Sequence, residues 1–236
     1  MLGKTSPSSL NSFDACSLAW LYRKSKRQGI EVDDTPRLLG LNEHRMIHTY
    51  FDEVPENPDE KHIVSLAEKI FTDQFDKSLS HVKDQARRCW KNFVSFERDR
   101  LRLWPVYKPT GTEVTFENSD FLCIVDFFSD DCGVALDWKT GSLDRLWDDQ
   151  LRQGKINLMC LEDNSHPITK FYFVGLGNNR VLEMPTVSRA WVEEDAAKMR
   201  RMVAQGKFPK RKSKLCDYCE FQLDCQFSDV CLWMAI

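Results

Sequence analysis

Asp137 and Lys139 stand two residues apart, on either side of Trp138, in a stretch (ALDWKTG, 135–141) that otherwise reads as a buried strand. Either charge costs several kcal/mol to bury unless it is paired or bound to a metal. Side chains at i and i+2 share a strand face, so Asp137 and Lys139 project together while Leu136 and Trp138 point the other way. On the strand before it, Asp126 is expected on the face of Leu122, Ile124 and Phe128. A hairpin through the loop 129–133 (SDDCG) then brings Asp126 towards Asp137. Two carboxylates held together repel unless a divalent cation is shared between them. A lysine beside such a cation orients a water, lowers its pKa or stabilises negative charge developing on phosphorus, which is the equipment of metal-assisted phosphodiester hydrolysis. A D-x-K triplet by itself is an ordinary ion pair on a solvated strand. Here a second aspartate on the upstream strand and a Thr140-Gly141 turn after the lysine set it apart.

Nine cysteines form the second group, and four of them (Cys216, Cys219, Cys225 and Cys231) fall in the last 21 residues. The N-terminus (MLGKTSPSSL) lacks the apolar core of a secretory signal, and no apolar run reaches bilayer-spanning length. A cytoplasmic, reduced location with no membrane partner is therefore expected, and there crowded cysteines point to metal ligation before disulfides. Cys216, Cys219 and Cys225 form C-x2-C-x5-C, one ligand short of a four-thiolate site. Cys231 and the distant Cys16 are the candidates for the fourth. The other four (Cys89, Cys123, Cys132 and Cys160) read as buried small side chains or loop thiols.

The net charge of −3 hides two basic runs, Arg23–Arg27 and Lys198–Lys214, the second with eight Lys or Arg and no acidic residue. Within it Lys210, Arg211, Lys212 and Lys214 are the candidate nucleic-acid contacts, by charge and without base readout. A solvated helix face or loop would carry the same pattern.

Helical periodicity marks Ser8–Tyr22, Leu38–Phe51, a segment from Ile63 to Phe75, and Asp84–Trp104, which Pro105 ends. The period then changes to that of short strands at Gly111–Glu117, Asp120–Phe128 and Val134–Lys139. A helix over Leu143–Leu161, a strand at Thr169–Gly175, a helix over Ser188–Ala204 and the cysteine tail follow. This order predicts an α/β chain of α+β type with a mostly antiparallel sheet, and not a doubly wound one.

Asp126 followed by Asp137-Trp138-Lys139-Thr140-Gly141 resembles the core of the PD-(D/E)xK nucleases, most closely their RecB-like branch. Gly40-Leu41-Asn42-Glu43-His44 matches that branch's upstream G-x-x-x-H segment, with His48 one turn later as the competing histidine. The resemblance implies a restriction-endonuclease-like core, a central mixed sheet flanked by helices. It also implies Mg²⁺ or Mn²⁺ held by His44, Asp126, Asp137 and the Trp138 carbonyl, with Lys139 as the catalytic lysine. A glutamine on the following helix belongs to the pattern. Gln150 and Gln153 both qualify, and Gln153 is slightly preferred because Ile156 and Leu158 then fall where the family is apolar. Gly154 and Asn157 replace the tyrosine that usually follows, and Cys123 and Val125 replace a frequent glycine and proline. Glu113 on the first strand is read as a solvent-facing edge residue before a site residue.

The cysteines resemble those of the iron–sulfur members, which use one N-terminal cysteine with C-x2-C-x5-C at the C-terminus. The resemblance implies a [4Fe–4S] cluster on Cys16, Cys216, Cys219 and Cys225 that joins the two chain ends, with Zn²⁺ as the alternative metal. One domain is expected over 1–236: a helical part (1–110), a catalytic sheet and helix (111–184), and a C-terminal helix with the cysteines (185–236). The whole is similar to stand-alone CRISPR-associated exonucleases. It implies hydrolysis of DNA, single-stranded ends first. No P-loop is present, so unwinding would come from a helicase or integrase-type partner. A non-catalytic DNA-binding adaptor and a zinc-binding interaction module are the rival readings. The oligomeric state is left open.

Overall fold

Five strands form one mixed sheet in the computed structural model, which describes residues 3–103 and 108–225. In chain order they are β1 (Gly111–Glu117), β2 (Leu122–Ser129), β3 (Val134–Lys139), β4 (Lys170–Gly175) and β5 (Arg180–Glu183), and they lie side by side in that order. The first three run as antiparallel neighbours, β3 and β4 are parallel, and β5 returns antiparallel. The parallel step needs a crossover, supplied by the helix Asp148–Asp163.

Seven α-helices are described: α1 (Pro7–Ala15), α2 (Ser17–Lys24), α3 (Thr35–Glu53), α4 (Glu60–Gln74), α5 (Lys83–Leu103), the crossover α6 (Asp148–Asp163) and α7 (Arg189–Ala204). They cover both faces of the sheet. On one face α3, α4 and α5 pack against Phe127, Leu136, Trp138 and Val174. On the other, α1, α6 and α7 pack against Cys123, Val125, Phe128, Ala135, Phe171 and Phe173. The two lists alternate along β3 and β4, as period-two strands buried on both faces should.

Several expectations need correction. Ser8–Tyr22 is two helices, because Cys16 is extended (φ −163°, ψ 106°) and separates α1 from α2. The crossover helix begins at Asp148 and not at Leu143, because residues 140–147 form a loop first. β5 carries no sequence signal, being four residues long with no buried position. The sheet is mostly antiparallel as expected, with three of its four pairings antiparallel and β3–β4 parallel. Trp104, Pro105 and Cys231 lie outside the described residues.

The α3–α5 side of the core is aromatic. Phe93 is fully buried, with its ring 5.0–6.0 Å from those of Trp90, Tyr50, Trp138 and Phe51. Phe93 thus ties the helical layer to the ring of Trp138. Phe93→Ala should destabilise the protein by about 3–5 kcal/mol, the usual cost of emptying a buried aromatic site, read from the urea midpoint. A change under about 1 kcal/mol would mean that the layer does not depend on this ring.

Candidate functional site

Strict alternation fails at one place in the sheet. On β2, Cys123 and Val125 face α6, yet Phe127 faces α3 and Phe128 faces α6 again. The β1–β2 pairing skips the Glu113–Asp126 step, which lies between the pairs Thr112↔Phe127 and Val114↔Val125 and sets the two residues opposite each other by register. Glu113 has φ +51°, a left-handed conformation that non-glycine residues rarely adopt and that costs about 1–3 kcal/mol. Both strands therefore change phase at the Glu113–Asp126 step. Asp126, facing His44 of α3, keeps the side opposite Cys123 and Val125 that Leu122 and Ile124 also take, as expected, whereas Phe128 falls on the α6 side because of the phase change.

His44 on α3 reaches this break. Its Nδ1 lies 2.9 Å from Glu113 Oε1 and 3.6 Å from Asp126 Oδ2, and its Nε2 lies 3.1 Å from the Trp138 carbonyl. One imidazole thus touches β1, β2 and β3. Asp126 Oδ2 accepts a hydrogen bond from the Trp138 backbone N–H (2.9 Å), beyond the last paired residues of the β2–β3 ladder, Phe127 and Leu136. His48 points elsewhere, with Nδ1 2.7 Å from Thr112 Oγ1.

Asp137 lies on the α6 side of β3 and is 1% exposed. Lys139 Nζ is 2.6 Å from Asp137 Oδ1 and donates to Gln153 Oε1 (2.9 Å), and Gln153 Nε2 donates to Asp137 Oδ2 (2.6 Å). These three side chains form a closed ring of contacts. Gln150 does other work: its Oε1 accepts from the Trp147 backbone N–H at 2.9 Å and caps α6. Gly154, next to Gln153, lets α6 lie close to the sheet. A Cβ there would fall 2.5 Å from Met184 Sδ and 3.1 Å from the Phe171 ring.

Three carboxylates (Glu113, Asp126 and Asp137) face one imidazole and one ammonium. Burial raises the pKa of Asp126, and Asp137 and Glu113 raise it further, against the opposing pull of His44 and the Trp138 N–H. Burial lowers the pKa of His44, but Asp126, Glu113 and Asp137 outweigh it and push it up to about 9. Burial likewise opposes the Lys139 ammonium, and Asp137 and Asp126 overcome it, so its pKa is raised. Glu43, next to His44, is fully buried with neither carboxyl oxygen hydrogen-bonded. Burial pushes its pKa to about 8, and the nearby His44 charge offsets only part of that.

Among the described residues the one His/Cys/Asp/Glu group with three donor atoms mutually within 4.8 Å is His44, Glu113 and Asp126. Its oxygen and imidazole donors suit a hard or borderline divalent cation, which would also offset the surplus carboxylate charge. Glu113 is thus closer to the centre of the site than its sequence reading allowed. The signal that would have found it is its position directly opposite Asp126.

The chain ends meet as expected. Ser17 Oγ donates to the Pro209 carbonyl, Trp20 stacks on Phe208, and Tyr22 packs edge-on to Phe221. Arg23 pairs with Glu220 and Arg27 with Asp224, each at 2.6 Å, so half of the first basic run's side chains hold the tail. Burial raises the pKa of Cys219, and the thiols of Cys16 and Cys216 raise it further, while the Phe221 N–H and Arg23 oppose the rise. Cys225 lies at the end of the described tail. Lys210, Arg211, Lys212 and Lys214 are exposed, and Arg211 donates to the Asp14 carbonyl at 3.0 Å.

A family model described as the PD-(D/E)XK nuclease superfamily matches residues 4–226. A solved structure of a protein described as "Putative exonuclease", from Eubacterium rectale, is similar over 92% of this chain and 86% of its own. The sequence identity is 17% and the TM-score 0.54, a likeness of fold alone. No curated protein matches the chain. No helix among the described residues is long and apolar enough to cross a membrane.

The metal-free protein should lose stability as pH rises. His44, raised to about 9, contributes stability that is complete below its ordinary value of 6.5 and lost as pH passes through about 9. Glu43 and Asp126 act in the same direction, because each binds its proton more tightly in the folded chain than in the unfolded one. Melting curves in EDTA between about pH 6 and pH 9.5 check this, with the midpoint expected to fall and the slope to flatten in His44→Gln. A flat or rising midpoint would contradict the charge balance given above.

Proposed function

The chain belongs to the PD-(D/E)XK nuclease superfamily, and on that premise we propose that this metal-dependent nuclease is an exonuclease acting on single-stranded DNA ends. The reading rests on the closed Asp137–Lys139–Gln153 contacts standing beside the His44, Glu113 and Asp126 group. His44, Asp126, Asp137 and the Trp138 carbonyl would hold Mg²⁺ or Mn²⁺, with Glu113 as a further oxygen ligand. When bound, the cation polarises the scissile phosphate and lowers the pKa of a water.

The chain's own groups do the rest. Lys139 keeps its proton and presents a positive charge to the phosphate oxygens as negative charge grows there. Gln153 fixes the direction of that ammonium by accepting from it while donating to Asp137. His44 must shed a proton to act as a ligand, so cation binding competes with protonation. The basic stretch around Lys210–Lys214 attracts the DNA backbone without reading bases.

Cys16, Cys216, Cys219 and Cys225 hold a [4Fe–4S] cluster in this reading. What supports this reading is that Ser17, Trp20 and Tyr22, close to Cys16 in the chain, touch Pro209, Phe208 and Phe221 of the cysteine-bearing segment, and that all-thiolate donors suit iron–sulfur or zinc. The role of the cluster is to fasten the ends. The likeness to stand-alone CRISPR-associated exonucleases belongs to this same proposal.

Cleavage of a labelled single strand with Mn²⁺ tests the assignment. Lys139→Ala should lose about a hundredfold or more, in line with losing one preorganised donor to the transition state. Gln153→Ala should lose about tenfold or more. Equal activity in Lys139→Ala and wild type would refute the site. For the cluster, protein purified without oxygen should be brown and Cys16→Ser colourless, whereas a colourless wild type loaded with zinc would replace iron–sulfur by zinc.

A further inference from the structure

The loop between β3 and α6 carries a large aromatic ring that the interior does not use. Trp147 is 55% exposed, and the Arg145 guanidinium lies over its ring at 3.4 Å from the centroid. The loop beneath it is fastened. Leu143 is buried, its N–H donates to Asn178 Oδ1 (3.0 Å), and Asp144 is held by Asn178 and Arg180. Gln150 fixes the Trp147 backbone from the helix side. The exposed ring therefore stands on an anchored support.

Beside it lies a cavity of about 290 Å³, lined by Ser142, Leu143, Asp144, Arg145, Trp147 and Gln150. Its position is set by the helix: Gln150 is three residues before Gln153, on the same face, and Gln153 touches both Lys139 and Asp137. The cavity thus adjoins the proposed catalytic groups, about one helical turn away. A flat aromatic face, a guanidinium for a phosphate, and hydroxyl and carboxylate groups at the rim are the fittings for an unpaired nucleobase. An ordinary duplex keeps its bases stacked and would not present one.

We propose that Trp147, stiffened by Arg145, is a stacking platform for one nucleobase of the DNA strand entering the site, which makes an unpaired end the preferred substrate. This rests on reading the site as a DNA nuclease and adds the part that selects the single-stranded form. The ring presents its free face to the base, Arg145 meets the adjoining backbone phosphate, and Asp144 or Ser142 meets the base edge. Stacking is tolerant of base identity, so the platform holds any end without a sequence preference.

Anisotropy with a fluorescein-labelled oligo-dT and the full chain in EDTA tests it, since without metal no strand is cut and binding is read apart from catalysis. Trp147→Ala should weaken binding about tenfold, within the range for one stacked base, and Trp147→Phe should stay within about twofold of wild type. A matching oligomer with abasic sites should bind wild type and Trp147→Ala equally. Three results would overturn the platform: equal oligo-dT affinity in wild type and Trp147→Ala, an equal loss on the abasic strand, or no binding of oligo-dT by wild type. Failure of the catalytic reading would show instead as undiminished cleavage by Lys139→Ala with the Trp147 effect intact.

Discussion

Repulsion among three carboxylates in a nearly dry part of the sheet is the constraint around which the molecule is arranged. Asp126 and Asp137 are 7% and 1% exposed, and Glu113 stands directly across β1 from Asp126. Left alone, such a group would protonate or push the strands apart. Compensation comes from three elements: His44 of α3 meets Glu113 and Asp126, while Lys139 of β3 and Gln153 of α6 both meet Asp137. Compensation from both helical layers requires both layers to be fixed. That explains why the sheet is buried on two faces and why the Trp138 ring is locked among Phe93, Phe96 and Phe127. The charges left over on the acid side are what a divalent cation would balance.

The left-handed Glu113 shows how the sheet adapts to this demand. A regular β1 would keep its alternation, with Val114 and Phe116 on the α6 core and Thr112 on the same side as them. Instead Thr112 meets His48 of α3 while Val114 and Phe116 stay with the α6 core. The phase change aims Glu113 at His44, and the hydrogen bond at 2.9 Å helps offset the backbone strain.

Sequence patterning reached the parts that obey simple periods. The long amphipathic helices, the β2–β3 hairpin and the Asp137/Lys139 face follow from spacings of 3.6 and 2 residues, whereas the meeting of the chain ends is implied by the family resemblance and not by cysteine spacing. What stayed hidden depends on departures from those periods. Glu113 looks like an edge residue until the Asp126 partner and the phase change are seen. The break at Cys16 has no proline or glycine to mark it, and β5 is too short and too exposed to stand out. Gln150 and Gln153 are equivalent by helical position, and only the start of α6 at Asp148 gives one of them to the cap.

The joining of α2 to the C-terminal segment changes how the chain can come apart. Termini are where most folds fray first, but here Arg23, Arg27 and the Ile30 N–H hold residues 220–224 by ion pairs and a backbone hydrogen bond. Topologically the polypeptide behaves as a closed band with a clasp. Local opening is thereby favoured at an interior connection such as the ten residues between α2 and α3 (25–34), which are largely exposed. A protein cut by a protease between α2 and α3 would keep its two pieces fastened through the Arg23–Glu220 and Arg27–Asp224 pairs.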